Sequence, residues 1–195
     1  QRKNNFFLAA VSLLFLLMVS FTMRNIRTLY QKEIIVYHVK KHTAVDFVDG
    51  RTAVCMCDSG LFKDKQKQGF HIMNNRCKLR ISKLISLVIS DSGRFSSNDF
   101  VYHHGNFWGF GGKKLAVVDK ATYNTQRLDI DYLLVTRNPD LSIAELLKQY
   151  NPARILFDGS NSEKNIKKWS VQCTESGVPF YSTASEGAWV CELNQ

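Results

Sequence analysis

The hydrophobic and polar positions change rhythm three times along the chain. From Asn4 to Met23 ("NNFFLAAVSLLFLLMVSFTM"), twenty residues pass without a charge. At about 1.5 Å rise per residue, a helix of that length spans roughly 30 Å, the thickness of a bilayer's hydrocarbon core. Phenylalanine and leucine fall on every face, which suits lipid better than a buried core helix. A signal peptide would have a shorter apolar centre and a small-residue cleavage site, and none precedes Tyr30. The pattern predicts a membrane-spanning helix with its juxtamembrane segment over 1–30 and a folded domain over 31–195. Arg2 and Lys3 flank one end of the helix and Arg24 and Arg27 the other, so flanking charge leaves the orientation open.

The second rhythm is short, β-branched and broken by turns. Residues 33–39, 44–50 and 51–58 read as three strands, with Asp49-Gly50 a hairpin signal. Residues 63–77 read as a helix with a basic outer face. Strands are expected again over 83–90 and 99–105. "NFWGFGGKKLAVVDK" follows, with Gly111-Gly112 turning a short aromatic strand into "LAVVD". In the last third, "IDYLLVT" is a near-continuous apolar run of the kind a fully buried strand carries. After it come a helix over 142–150, a strand over 153–159, a helix over 162–176 and strands in "PFYST" and "GAWVCEL". A hairpin-rich first half joined to a β-α-β-α-β second half predicts a mixed-sheet α/β sandwich.

Charge sharpens this picture. The 195 residues carry a net +9; leaving out Arg2 and Lys3, 24 basic residues face 17 acidic ones, a net +7 beyond the apolar segment. Between positions 63 and 83, Lys63, Lys65, Lys67, Arg76, Lys78, Arg80 and Lys83 are opposed only by Asp64. Such a run suits an anionic partner, either nucleic acid or lipid headgroups, or forms a plain solvated face. Phe107, Trp108 and Phe110 are compatible with base stacking. The five cysteines lack CxxC spacing. Cys55 and Cys57 share one face of a strand and read as small core hydrophobes. Free thiols weigh mildly against strongly oxidising surroundings.

Most stretches that resemble chemistry have a plainer origin. "HHGNFWGFGGKK" lacks the phosphate-loop spacing and joins strand to strand, so a hairpin is expected. His103 and His104 face opposite sides of their strand. Ser160, three residues before Glu163, reads as a helix cap, and the C-terminal third has no histidine to activate it. In the loop Arg137-Asn-Pro-Asp-Leu-Ser142, Pro139 and Asp140 supply a turn, and Ser142 with Glu145 a capping box. Arginine, proline and leucine offer no metal-ligand atoms there.

Two segments together resemble a known family. "EIIVYHVKKHTAVDFVDGRTAVCMCDSG" is similar to the opening of a metallo-β-lactamase-like domain, and "DYLLVTRNPDLSIAELLKQYNPARILFDGSNS" to its later strand-loop-helix-strand unit. With the preceding apolar helix, the chain from about Phe6 to Val190 resembles the C-terminal end of ComEC-type competence proteins, the inner-membrane channels for DNA uptake, in the branch whose C-terminal domain is reduced. The resemblance places the four ligands of the His-x-His-x-Asp-His motif on Arg137, Pro139, Leu141 and Ser142, so none is retained. It puts Asp58 on the aspartate of the Asp-Thr-Gly turn and His38 on an aspartate of the first strand's motif. It implies a channel part preceding Gln1 in the same polypeptide, an inner-membrane location and an extracytoplasmic domain. The expectation is a non-catalytic domain without cofactor or metal, contacting DNA through the seven basic residues. The alternative is a metal-dependent nuclease acting on the non-imported strand through His103, His104, Asp119 and Asp58.

Overall fold

A computed structural model of the chain describes residues 2–89, 95–97, 100–120 and 126–193. Helix α1 (Arg2–Tyr30) opens it, and from Phe6 to Tyr30 it is long and apolar enough to cross a membrane, with none of its apolar window buried. Strands β1 (Lys32–Val36), β2 (Ala44–Asp49) and β3 (Thr52–Cys57) follow as an antiparallel meander, then α2 (Ser59–Lys63), α3 (Lys65–Gln68), a π-helical turn (Gly69–Met73) and α4 (Asn74–Lys78). The expected basic helix is therefore real but segmented. Asp58 and Asp64 each cap a new start with a side-chain oxygen.

Next come β4 (Lys83–Val88), β5 (Phe95–Ser97), β6 (Val101–His104), β7 (Phe107–Phe110), β8 (Lys113–Val118) and β9 (Leu128–Val135). Ser90 and Asp99, at the ends of two expected strands, lie outside the described residues. The chain closes with α5 (Ile143–Gln149), β10 (Tyr150–Phe157), α6 (Glu163–Glu175), β11 (Phe180–Ser182), α7 (Thr183–Glu186) and β12 (Trp189–Glu192). Strand β10 starts three residues earlier than expected, with no loop after α5. Pro152 disfavours helix at Asn151, so the chain extends at once. The missing N–H of Pro152 does little harm, because β11 pairs only with Ile155–Phe157.

Among the described residues, one sheet runs β12-β1-β2-β3-β4 and the other β11-β10-β9-β8-β7-β6-β5. Both are mixed: β3 and β4 are parallel, as are β8 to β11, and the remaining pairs are antiparallel. Side-chain alternation sorts three cores. Ile34, Val36, Phe47, Val54 and Met56 meet Trp108, Phe110, Val117, Leu134 and Leu156 between the sheets, and Phe47 stacks on Trp108 with ring centroids 5.4 Å apart. On the outside of the first sheet, Ile35, Val48, Cys55 and Cys57 pack against Leu61 and Ile72 of the helical layer. On the outside of the second, Val135, Ile155 and Phe157 pack against Ile143, Ile166 and Trp169. The molecule is thus the expected mixed α/β sandwich, and burial on both faces is why its strands read as continuous apolar runs.

The sandwich has two distinct ends. At one, α1 docks: Gln31 Nε2 donates to the carbonyls of Gly50 and Leu79 at 2.7 Å each. Gly50 has φ +57°, and a Cβ there would lie 2.9 Å from the Leu29 carbonyl oxygen, so only glycine lets the helix come this close. Strands β1, β3 and β4 begin at this end. The opposite end holds the β1–β2 turn and the carboxyl ends of β3 and β8 to β11. Six-residue strands separate the two by roughly 20 Å.

A polar cleft at the helix-distal edge

In sheets with parallel strands, the carboxyl edge is where loops from neighbouring strands converge and ligands bind. Here that edge carries Thr136 after β9, Asp158 after β10 and Thr183 after β11. The first sheet adds His38, His42 and Thr43 from the β1–β2 turn and Asp58 from the end of β3. A cleft of about 400 Å³ opens at this edge, lined by His38, Lys40, Lys41, Asn138, Ser160 and Glu163 among others.

Its floor is a hydrogen-bonded lattice. Ser160 Oγ donates to Asp158 Oδ1 at 2.5 Å and accepts from the Arg137 amide at 2.7 Å. Asn161 Nδ2 donates to the Val135 carbonyl at 2.6 Å and to Asp158 Oδ1 at 3.1 Å. Asn138 donates its amide to Asn161 Oδ1, and its own Oδ1 accepts from the Ser162 amide. Arg137 and Asn138 both have positive φ, 58° and 53°. Left-handed backbone costs a non-glycine residue about 1–2 kcal/mol, and these bonds from the β10–α6 loop hold it in place.

At the same edge, His42 Nδ1 lies 3.1 Å from Asp58 Oδ1, and Asp58 also accepts from the amides of Thr43 and Leu61. Burial pushes the Asp58 carboxyl up, but the Leu61 and Thr43 amides and His42 outweigh it and hold it below the usual range. His38 is held below its usual range by burial and by His71, and its Nδ1 lies 3.3 Å from Thr183 Oγ1. Asp158 is fully buried. Burial drives its carboxyl up to about 6, Asp58 adds to the rise, and Ser160 and Thr43 only partly oppose it. Among the described residues, its Oδ2 and the hydroxyls of Thr43 and Thr136 have no hydrogen-bond partner of good geometry. The fit is tight on the remaining side: a Cβ on Gly159 would meet the Val39 carbonyl oxygen at 2.6 Å. Gly159→Ala is expected to cost about 1–3 kcal/mol in chemical denaturation, the usual penalty of overpacking.

The residues present do not fit a catalytic metal. The Arg137 guanidinium pairs with Asp119 at 3.3 Å, Pro139 is buried, and Leu141 packs into the outer core with its carbonyl accepting from Trp169 Nε1. Ser142 caps α5 in the expected capping box with Glu145. Among the described residues, no three His, Cys, Asp or Glu side chains converge. The alternative ligand set is not brought together: His103 faces the inter-sheet core and stacks on Trp108, His104 is exposed on the other face, and Asp119 and Asp58 are engaged as above.

Several expectations need correction. Arg76 does not belong to the basic outer face: it is 3% exposed and grips Asp46 with Nε and Nη2, each at 2.7 Å. The other six basic residues are exposed. Trp108 and Phe110 are core side chains and Phe107 is half-buried, so none is free to stack a base. The exposed aromatics of the basic segment are Phe62 and Phe70, the latter 78% exposed. Ser160 is not the cap of α6. Ser162 is, through Asn165, because Ser160 is committed to Asp158. Sequence reasoning also passed over Asp158. Its signal was an acid closing a buried strand; Asp46, in the middle of the apolar strand "AVDFVD", carries a related one.

No curated protein and no solved structure matches the chain. The ComEC C-terminal domain model matches residues 34–193, which takes in both sheets, the cleft and all the helices after α1. By that match the chain belongs to the ComEC C-terminal domain family, and it is a competence and DNA-uptake related membrane protein.

Proposed function

We propose that this domain is the non-catalytic end of a DNA-uptake protein of the inner membrane, built on a reduced metallo-β-lactamase-like sandwich. In this reading α1 spans the bilayer and the helix-distal end of the domain guides DNA. The observation that carries the proposal is the loop after β9. Every position where the resemblance puts a metal ligand is engaged otherwise, and the Asp119–Arg137 ion pair puts a permanent cation there. Hydrolysis of a phosphodiester by such a fold needs a metal to activate water and to steady the leaving oxygen.

The distal end is cationic. Lys40 and Lys41 border the cleft, and Lys67 Nζ reaches within 3.3 Å of His42 Nε2. With Lys63 and Lys65 they make a rim suited to phosphate contacts, and the exposed Phe62 and Phe70 add apolar surface beside it. For the full chain in detergent, fluorescence anisotropy is expected to show oligonucleotide binding at low salt. The triple variant K63Q/K65Q/K67Q should bind about tenfold or more weakly and lower the slope of log affinity against log salt by about 3 on duplex DNA. Absence of binding by the parent chain would end the DNA reading. Stoichiometric zinc or manganese in protein purified without chelator would end the non-catalytic one.

A further inference from the structure

The basic run between positions 63 and 83 is one cluster in sequence and three in space. Arg76 is interior. Lys63, Lys65 and Lys67 belong to α2 and α3, and Lys67 reaches His42 at the helix-distal edge. Lys78, Arg80 and Lys83 lie at the opposite end, where α1 enters. Leu79 takes a hydrogen bond from Gln31, and the amide of Lys83 donates to Arg51 at 3.2 Å.

Arg80 is fixed most closely. Its Nη1 donates to Asn25 Oδ1 at 2.5 Å. The apolar run of α1 ends at Met23, so Asn25 lies about 3 Å further along the helix axis. The Arg80 guanidinium is thereby held near the depth where hydrocarbon gives way to headgroups. Arg80 also has φ 55° just after the C-cap Leu79 of α4, a position where glycine is the ordinary residue. A strained arginine at this site points to a use for its side chain. Arg24, Arg27 and Arg51 are exposed at the same end. Three acids lie at this end: Asp49 pairs with Lys32 at 3.5 Å, and Glu33 and Glu192 face one another across β1 and β12 and line one groove with Arg27 and Tyr30, Glu33 within electrostatic reach of Lys78, so the cations outnumber the acids there.

We propose that Lys78, Arg80 and Lys83, with Arg51 and the arginines of α1, form a collar that binds the phosphates of anionic phospholipids and sets the tilt of the domain against the bilayer. The inference rests on the reading that α1 spans the membrane. It assigns the two exposed halves of the basic run to different partners, lipid at the helix-proximal end and DNA at the distal one.

The test uses the full chain in nanodiscs of phosphatidylcholine, with or without phosphatidylglycerol. A bimane on the exposed Cys77, in a Cys191→Ser background, reports quenching by a headgroup-nitroxide lipid; the remaining three cysteines are buried. Quenching is expected to rise with phosphatidylglycerol and to fall back with added salt. K78Q/R80Q/K83Q should abolish that rise, since each cation near an anionic surface is worth about fivefold in partition. R80K should keep most of it, and K63Q/K65Q/K67Q should leave it unchanged. Equal quenching in both lipids, or a rise that survives in K78Q/R80Q/K83Q, would overturn the collar while leaving the spanning helix intact. Release of the chain from vesicles by alkaline carbonate would overturn both.

Discussion

Arg76→Ala is expected to destabilise the domain by about 3–5 kcal/mol, the range for a buried ion pair that loses one partner. In thermal unfolding this corresponds to roughly 10 °C. The loss comes from what is left behind. Asp46 lies in the middle of β2 with its side chain fully buried; both carboxylate oxygens bond Arg76, and one also accepts from Tyr37. Burial and the neighbouring Asp46 push the Tyr37 hydroxyl upward, so it stays protonated and keeps donating. Its oxygen in turn accepts from Asn75 Nδ2 at 3.2 Å. Without the guanidinium, a carboxylate remains under the helical layer with one neutral donor. The double variant D46L/R76M removes both charges and should recover part of the stability, because apolar replacements of buried pairs are often neutral or better, less what the larger leucine and the lost acceptor of Tyr37 cost. Urea unfolding of the parent, D46L, R76M and the double variant closes this cycle. A double variant as unstable as Arg76→Ala would refute the account. The same residue separates stability from binding: D46L/R76M should keep the DNA affinity of the parent, because Arg76 does not face the solvent.

The second large effect has the opposite sign. Asp158→Asn is expected to stabilise the protein by about 2–3 kcal/mol above pH 6. The carboxyl stands at about 6 when folded, against an ordinary 3.8. The folded chain therefore takes up a proton across that window. Its contribution to stability is full below pH 3.8 and is lost as pH climbs through 6, at about 1.4 kcal/mol per unit of separation. Asparagine keeps an acceptor for Ser160 and Asn161 and cannot ionise. Its new amide lies where Oδ2 lacks a partner, near the equally unpartnered Thr43 hydroxyl. Asp58, Asp131 and Glu145, all held below their usual range, pull the whole protein the other way in acid. The informative quantity is the difference between parent and variant from pH 4 to 8. A flat difference would show that Asp158 does not titrate in that range.

Much of the architecture was legible because burial leaves marks in composition. A strand covered on both faces must be apolar at both parities, and "IDYLLVT" and "RTAVCMCD" carry that mark. Ser142 with Glu145 gave away its helix start, since only a cap explains the pair. What escaped was long-range pairing. Ser160 and Ser162 are both three residues from an acid or amide that could complete a cap. The Arg137 amide, on another element, decides together with the nearby Asp158 which serine is free. Arg76 read as one more surface cation because its reason for being there, Asp46, lies thirty positions earlier on another element. The aromatic cluster at 107–110 failed for a related reason. Its rings look available until Phe47 from the facing sheet is placed on them.

The last strand, β12, lies beside the first, β1, with Glu33 opposite Glu192. The first sheet therefore has no finished edge until β12 has left the ribosome, long after β1. Helix α1 emerges long before that, so under the proposed spanning role it enters the bilayer while the sandwich is still open. Maturation then runs in a fixed order, insertion before closure, and the domain completes itself while already tethered. Loss of β12 would leave β1 and Trp189's place in the core uncovered, and such a chain should be cleared by proteases.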